Sequence, residues 1–163
     1  VSGPSPHARA FAELRPRVLA RLLELRASLD PGLVRADEHT ARTQLDALLE
    51  HLGNYLATGD ANLHRAFLNT FLAMRAAEAQ GPAAALGTLV AVGDAAAQVA
   101  QEELASRPEG AELVTVLTRV TAATARLVND LVAEELERRL AQRRQLDGEA
   151  DEPDTDTDTA RRV

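Results

Sequence analysis

Apolar residues recur at intervals of three and four along most of this chain, and the elements that spacing predicts are helices. The first covers about residues 7–29, with Phe11, Leu14, Val18, Leu22, Leu25 and Leu29 on one stripe. Pro16 lies inside it and predicts a kink there, or a second helix starting at that residue. Asp30-Pro31-Gly32 then stops it. The second, about 37–57, aligns Leu45, Leu48, Leu49, Leu52 and Leu56 and ends at Thr58-Gly59-Asp60. Gly59 suits a left-handed C-terminal residue, and Asp60 suits the cap of the next helix. In the third, 61–79, Leu63, Phe67, Phe71 and Met74 are joined by Leu68 and Leu72, which predicts a central position. Gly81-Pro82 ends it and opens the fourth.

The fourth segment, 83–105, contains Leu86, Leu89, Val90, Val92, Val99 and Leu104. Leu89-Val90-Ala91-Val92 has the propensity of a short strand, but the surrounding alanines and the 3.6-residue period favour helix. Gly87 and Gly93 each weaken a helix by about 1 kcal/mol relative to Ala, so they predict either a close backbone approach or a break capped by Asp94. Ser106-Arg107-Pro108 closes the segment. The fifth helix, 109–146, has no Pro and no Gly after Gly110, and at 1.5 Å per residue it extends about 57 Å, beyond the ~30 Å of a small helical domain. Between Leu113 and Val132 it is apolar on two adjoining faces, as a core helix is. After Glu134 only Leu136 and Leu140 interrupt a run of Glu and Arg, so this end is expected to leave the core; dimer contacts are expected through the last two helices, chiefly at Val128, Leu131, Val132 and Leu136, with Leu140 extending the seam.

The organisation is therefore a flexible start at 1–6, a helical domain at 7–146 and an acidic tail at 147–163. The tail has no large apolar residue before Val163 and is expected to be disordered or to lead into a linker. Its alternating Asp154, Asp156 and Asp158 lack the Gly and bidentate Glu of a calcium loop. Aromatic residues make up 2% of the chain against 45% hydrophobic, so Leu, Val and Ala must fill the core, and that too favours packed helices. All 18 basic residues are Arg, and Ile is missing as well, a pattern that a GC-rich genome explains without phosphate recognition. A net charge of −7 argues against nucleic acid as the main partner. With no Cys there is no disulfide, thiol nucleophile or thiolate metal site. The start of the chain lacks the regions of a signal peptide and no uncharged apolar run reaches 18 residues, so no membrane contact and a cytoplasmic location are expected.

The chemistry-bearing residues offer little at this level. The chain lacks a phosphate-binding Gly-Lys loop, a His-Glu-x-x-His and a Gly-x-Ser-x-Gly, and also the Glu-x-x-His of di-iron bundles. His7, His39, His51 and His64 have no helical i, i+3 or i, i+4 partner among themselves, and each is expected to be a partly exposed helix residue. Glu134 with Arg138 and Glu135 with Arg139 are surface pairs worth about 0.2–0.5 kcal/mol each. Arg75 and Glu78 flank the end of the third helix, where capping or ion pairing is expected of Arg75 ahead of a ligand-binding role. An enzyme is the least expected class, for want of a nucleophile and base side by side.

Met74-Arg75-Ala76-Ala77-Glu78-Ala79-Gln80-Gly81-Pro82-Ala83-Ala84-Ala85-Leu86 resembles the N-terminal regulatory domain of stressosome RsbR-type proteins and related input domains, and Tyr55-Leu56-Ala57-Thr58-Gly59-Asp60 is similar to that family's helix closing on Gly-Asp. The resemblance spans about residues 7–145 in helix order. It implies an all-α, five-helix, globin-like bundle without haem, a homodimer, and a protruding last helix that leads to an output domain such as STAS. Too few residues follow Leu146 for that domain, so the chain is expected to be a fragment or a stand-alone homologue. No His follows His64, so haem ligation is not expected, His64 being the least poor candidate for it, and no cofactor or metal is assigned. The resulting expectation is a non-enzymatic sensory or scaffold module acting on a STAS, kinase or phosphatase partner in a bacterial stress pathway. A haem or small-ligand protein and a purely structural adaptor are the alternatives.

Overall fold

The computed structural model describes residues 5–29 and 31–149, and among these every element is a helix: α1 (Pro6–Leu29), α2 (Pro31–Arg35), α3 (Glu38–Thr58), α4 (Ala61–Ala77), α5 (Pro82–Glu103) and α6 (Pro108–Glu149). The protein is all-α. The extra element relative to five is α2, a five-residue helix where Asp30-Pro31-Gly32 predicted only a stop. It buries Leu33 beside α1. Pro16 sits within a continuous α1, as helix propagation on both sides outweighs the hydrogen bond its missing N–H forgoes. The N-terminal boundary also shifts: Pro6 already belongs to α1, and Ser5 accepts from the N–H of Ala8 and of Arg9. The expectations for the remaining termini fall on 1–4 and 150–163, which lie outside the described residues; 147–149 continue α6.

Helix ends follow the local chemistry. The Asp37 carboxylate accepts from the Thr40 N–H at the start of α3, Gly59 ends that helix at φ 65°, and Asp60 accepts from the N–H groups of Asn62 and Leu63. The end of α4 closes just before Gly81-Pro82. Its left-handed residue is Ala79, at φ 58°. Gln80 N–H donates to Arg75 O and Ala79 N–H to Ala76 O, the paired bonds of a Schellman closure, while Gly81 serves as the N-cap before Pro82.

The chain divides into two compact units, Val1–Asn129 and Asp130–Val163. In the first, α1 packs against α2, α3 and α5, and α4 lies against α3 and α5. Phe11, Val18 and Leu22 of α1 meet Leu45 and Leu49 of α3, Val92 and Val99 of α5, and Leu113 and Leu117 of α6 in one core. Arg15 with Asp46, and Arg17 and Arg21 with Glu103 and Glu102, add ion pairs around α1. Being partly exposed, these contribute little beside the burial of Leu and Val. Helix α5 is long and apolar enough by length and composition to cross a membrane, which the expected absence of such a segment did not anticipate. Its Ala85, Val92, Ala95, Ala96 and Val99 belong to the core. Helix α5 is unbroken at both glycines: Gly93 abuts Thr121 of α6, and Gly87 faces open space.

The second unit, among the described residues, is the remaining course of α6. Glu135 bonds both Arg138 and Arg139 along its own helix, and Leu136, Leu140 and Leu146 are exposed.

Candidate functional site

Three of the four aromatic residues of this chain gather at one place, around two histidines. The turn Thr58-Gly59-Asp60 folds α4 back on α3, and that return brings His64 to His51. His51 Nε2 lies 2.9 Å from His64 Nδ1, and His64 Nε2 lies 2.9 Å from Thr124 Oγ1 of α6. The Tyr55 ring stacks on His64 at 4.3 Å, and the Phe67 ring on His51 at 3.6 Å. Phe71 continues the column, and the Arg75 guanidinium covers its ring at 5.1 Å. Arg75 is buried and paired with Glu78 at 3.0 Å, so of the two roles expected for it the ion pair is present.

The histidine pair borders a cavity of about 40 Å³. Leu48 and Leu52 of α3, Leu68 of α4, Val92 of α5 and Val120 of α6 supply the apolar wall, so four helices of the first unit meet there. Such a volume holds a few water-sized groups and falls well below the roughly 300 Å³ of pockets for drug-sized molecules.

Burial governs the protonation of the pair. Removal of the ring from water, reinforced by the neighbouring His64, pushes His51 from 6.5 down to about 4. Burial likewise lowers His64. Both rings are therefore neutral at pH 7. Each nitrogen of His64 has a partner, so its neutral ring donates at one and accepts at the other. Thr124, His64 and His51 thus form a hydrogen-bonded relay, whose sense reverses if the tautomers switch together.

The order hydroxyl, imidazole, orienting group is also that of a nucleophile and its base. Here the hydroxyl sits in the middle of α6, where surrounding backbone N–H groups are spent on the helix and are not free to stabilise an oxyanion. The cavity beside it leaves space for only the smallest substrate. The arrangement is suited to binding or proton relay.

His64 corrects the expectation of a partly exposed side chain: it is 7% exposed and hydrogen-bonded on both sides. His51 is half-buried beside it, while His39 is exposed and His7 is half-buried near Glu112. The pairing was invisible to a helical i, i+4 search because its members lie 13 and 60 positions apart. The signal that was available is register: His64 shares a stripe with Phe67, Leu68 and Phe71, all facing α3 or the core.

The residues assigned to a dimer seam separate into two groups. Val128 and Leu131 are buried in the single chain, at 1% and 5% exposure, and Val132 is half-buried. Leu136 and Leu140 are 58% and 45% exposed. Only the latter pair is fully available to a partner. Among the described residues no group of three or more His, Cys, Asp or Glu is placed to hold a metal ion. Comparison with known proteins finds no matching family model, no matching curated protein and no matching solved structure.

Proposed function

We propose that this chain is a non-enzymatic sensory or scaffold module that dimerises and passes a signal through α6 to a protein partner of STAS, kinase or phosphatase type in a bacterial stress or signalling pathway. The observation that carries this reading is the make-up of α6. One continuous helix provides Val120, Thr121 and Thr124 to the cavity and, further along, the exposed Leu136 and Leu140. A change at the histidine relay acts directly on a residue of that helix, through Thr124. The resemblance to RsbR-type regulatory domains, and with it the globin-like description, supports the same reading.

Sedimentation is the test. The unmodified chain should be dimeric at tens of micromolar, and Leu136→Asp with Leu140→Asp should make it monomeric with its helix content unchanged. His64→Ala should shift the dimer constant by about fivefold or more, as typical coupling energies between sites imply. A monomeric parent chain would remove the dimer, and an unchanged constant in His64→Ala would remove the signal. A second reading, a small-ligand protein, is favoured by the cavity itself; its ligand would be a molecule of a few heavy atoms hydrogen-bonding to the relay, too small to be haem.

A further inference from the structure

Between residues 130 and 146 of α6 the charges are sorted by sign, ahead of Asp147 and Glu149 at the end of the helix. Asp130, Glu134, Glu135 and Glu137 come first and Arg138, Arg139, Arg143 and Arg144 follow, so 130–137 sums to −4 and 138–146 to +4 with no exception in either half. Leu136 and Leu140 stand on either side of that boundary, both exposed and four residues apart, the spacing of neighbouring seam positions. Ion pairs within the helix favour Glu ahead of Arg and account for Glu135 with Arg138 and Arg139, but Asp130 and Glu137 have no Arg three or four positions on, and Arg143 and Arg144 no acid three or four positions before them, so such pairs leave half of the pattern unexplained.

We infer that residues 130–146 pair with the same segment of a second copy in antiparallel orientation. This rests on the reading that the chain dimerises and adds the direction of pairing. A two-fold axis at Arg138 places Leu136 of each copy beside Leu140 of the other, and Glu137 beside the other's Arg139. It also lays each −4 half along a +4 half, twice over. Parallel pairing would align −4 with −4 and +4 with +4. Paired helices run 8–10 Å apart, close to the ~8 Å screening length at physiological salt, so these sums still act across the interface. Leucine burial holds the two helices together in either direction, and charge decides between the directions. The paired stretch is about 26 Å long, little more than two heptads, so the charge term is a large share of its stability.

The chain has no Cys, so one introduced thiol per copy reports the geometry. Gln145→Cys, at an exposed position, accepts a nitroxide label. In the antiparallel dimer the two sites lie about 21 Å apart along the helix axis, whereas in a parallel dimer only the helix separation of roughly 10 Å divides them. The expected result is a dimer in sedimentation, a distance beyond about 20 Å by pulsed electron resonance, and weakening by several-fold at about 1 M salt. In addition, Ala133→Cys mixed with Arg143→Cys should form a disulfide on oxidation, and Ala133→Cys alone should not. A dimer with the short distance, or with Ala133→Cys linking to itself, overturns the orientation and leaves the dimer standing. A chain that stays monomeric to about 100 µM overturns both.

Discussion

Substituting Gly93 by Ala places a single methyl where α5 and α6 meet, and its effect can be worked from three distances. The added carbon would lie 2.0 Å from Thr121 Oγ1, 3.0 Å from Thr121 Cβ and 3.1 Å from Thr121 Cγ2. Turning the Thr121 side chain relieves the first contact. It cannot relieve the second, because Cβ is fixed to the α6 backbone, so the helices must move apart or the side chains must leave their rotamers. Overpacking of that kind costs about 1–3 kcal/mol. Replacing Gly by Ala within a helix returns up to about 1 kcal/mol. The net loss is about 1–2 kcal/mol, or a Tm lowered by about 3–6 °C in a chain of this size. Gly87 supplies the control, since a methyl there meets nothing within 4 Å and only the helix term remains. Gly87→Ala should raise Tm by about 2–4 °C. Thermal unfolding followed by far-UV circular dichroism reads both. Thr121→Ala in the Gly93→Ala background removes two of the three close contacts and should restore at least half of the loss, which makes the pair non-additive. If Gly93→Ala is as stable as Gly87→Ala, the account of the α5–α6 approach is wrong.

Further consequences are open to measurement. His51 has a folded pKa of about 4 against 6.5 when unfolded, so the unfolded chain takes up protons first as the pH falls. Stability should be complete above pH 6.5 and decline between there and about 4. For a ring only half shielded from solvent the loss is on the order of 1–2 kcal/mol. A Tm that is flat from pH 7.5 to 5, or that falls equally in His51→Gln, would contradict this. Ala79 occupies the left-handed position that closes α4, so Ala79→Gly should stabilise by about 1 kcal/mol and raise Tm by about 2–4 °C; a lower Tm would show that the strain at this residue had been misjudged. Mixing with haemin should produce no Soret band, because both nitrogens of His64 are engaged and the cavity is about 40 Å³. A saturable one-to-one spectrum lost in His64→Ala would reverse that conclusion.

Local order was legible in the residues themselves. The Leu45 to Leu56 stripe, the closure on Gly59, the cap at Asp60 and the start at Pro82 each depend on residues within one or two turns of each other, and the all-α fold follows from such signals. The αL closure at Ala79 carried no such signal, since propensity favours Gly at that position while the hydrogen bonds of the α4 end place an Ala there. Tertiary packing decided the rest. Gly87 and Gly93 are the same residue in the same helix, and only the approach of Thr121 distinguishes them. Val128 and Leu136 belong to one apolar pattern, yet the first is 1% and the second 58% exposed. His51, His64 and Thr124 come together because α4 folds back on α3 and α6 passes beside His64, contacts across 13 and 60 positions that no periodicity within a helix encodes. A sequence read locally determines which segments coil and where they stop, because those free energies are settled between near neighbours; which faces then meet depends on packing summed over the whole core.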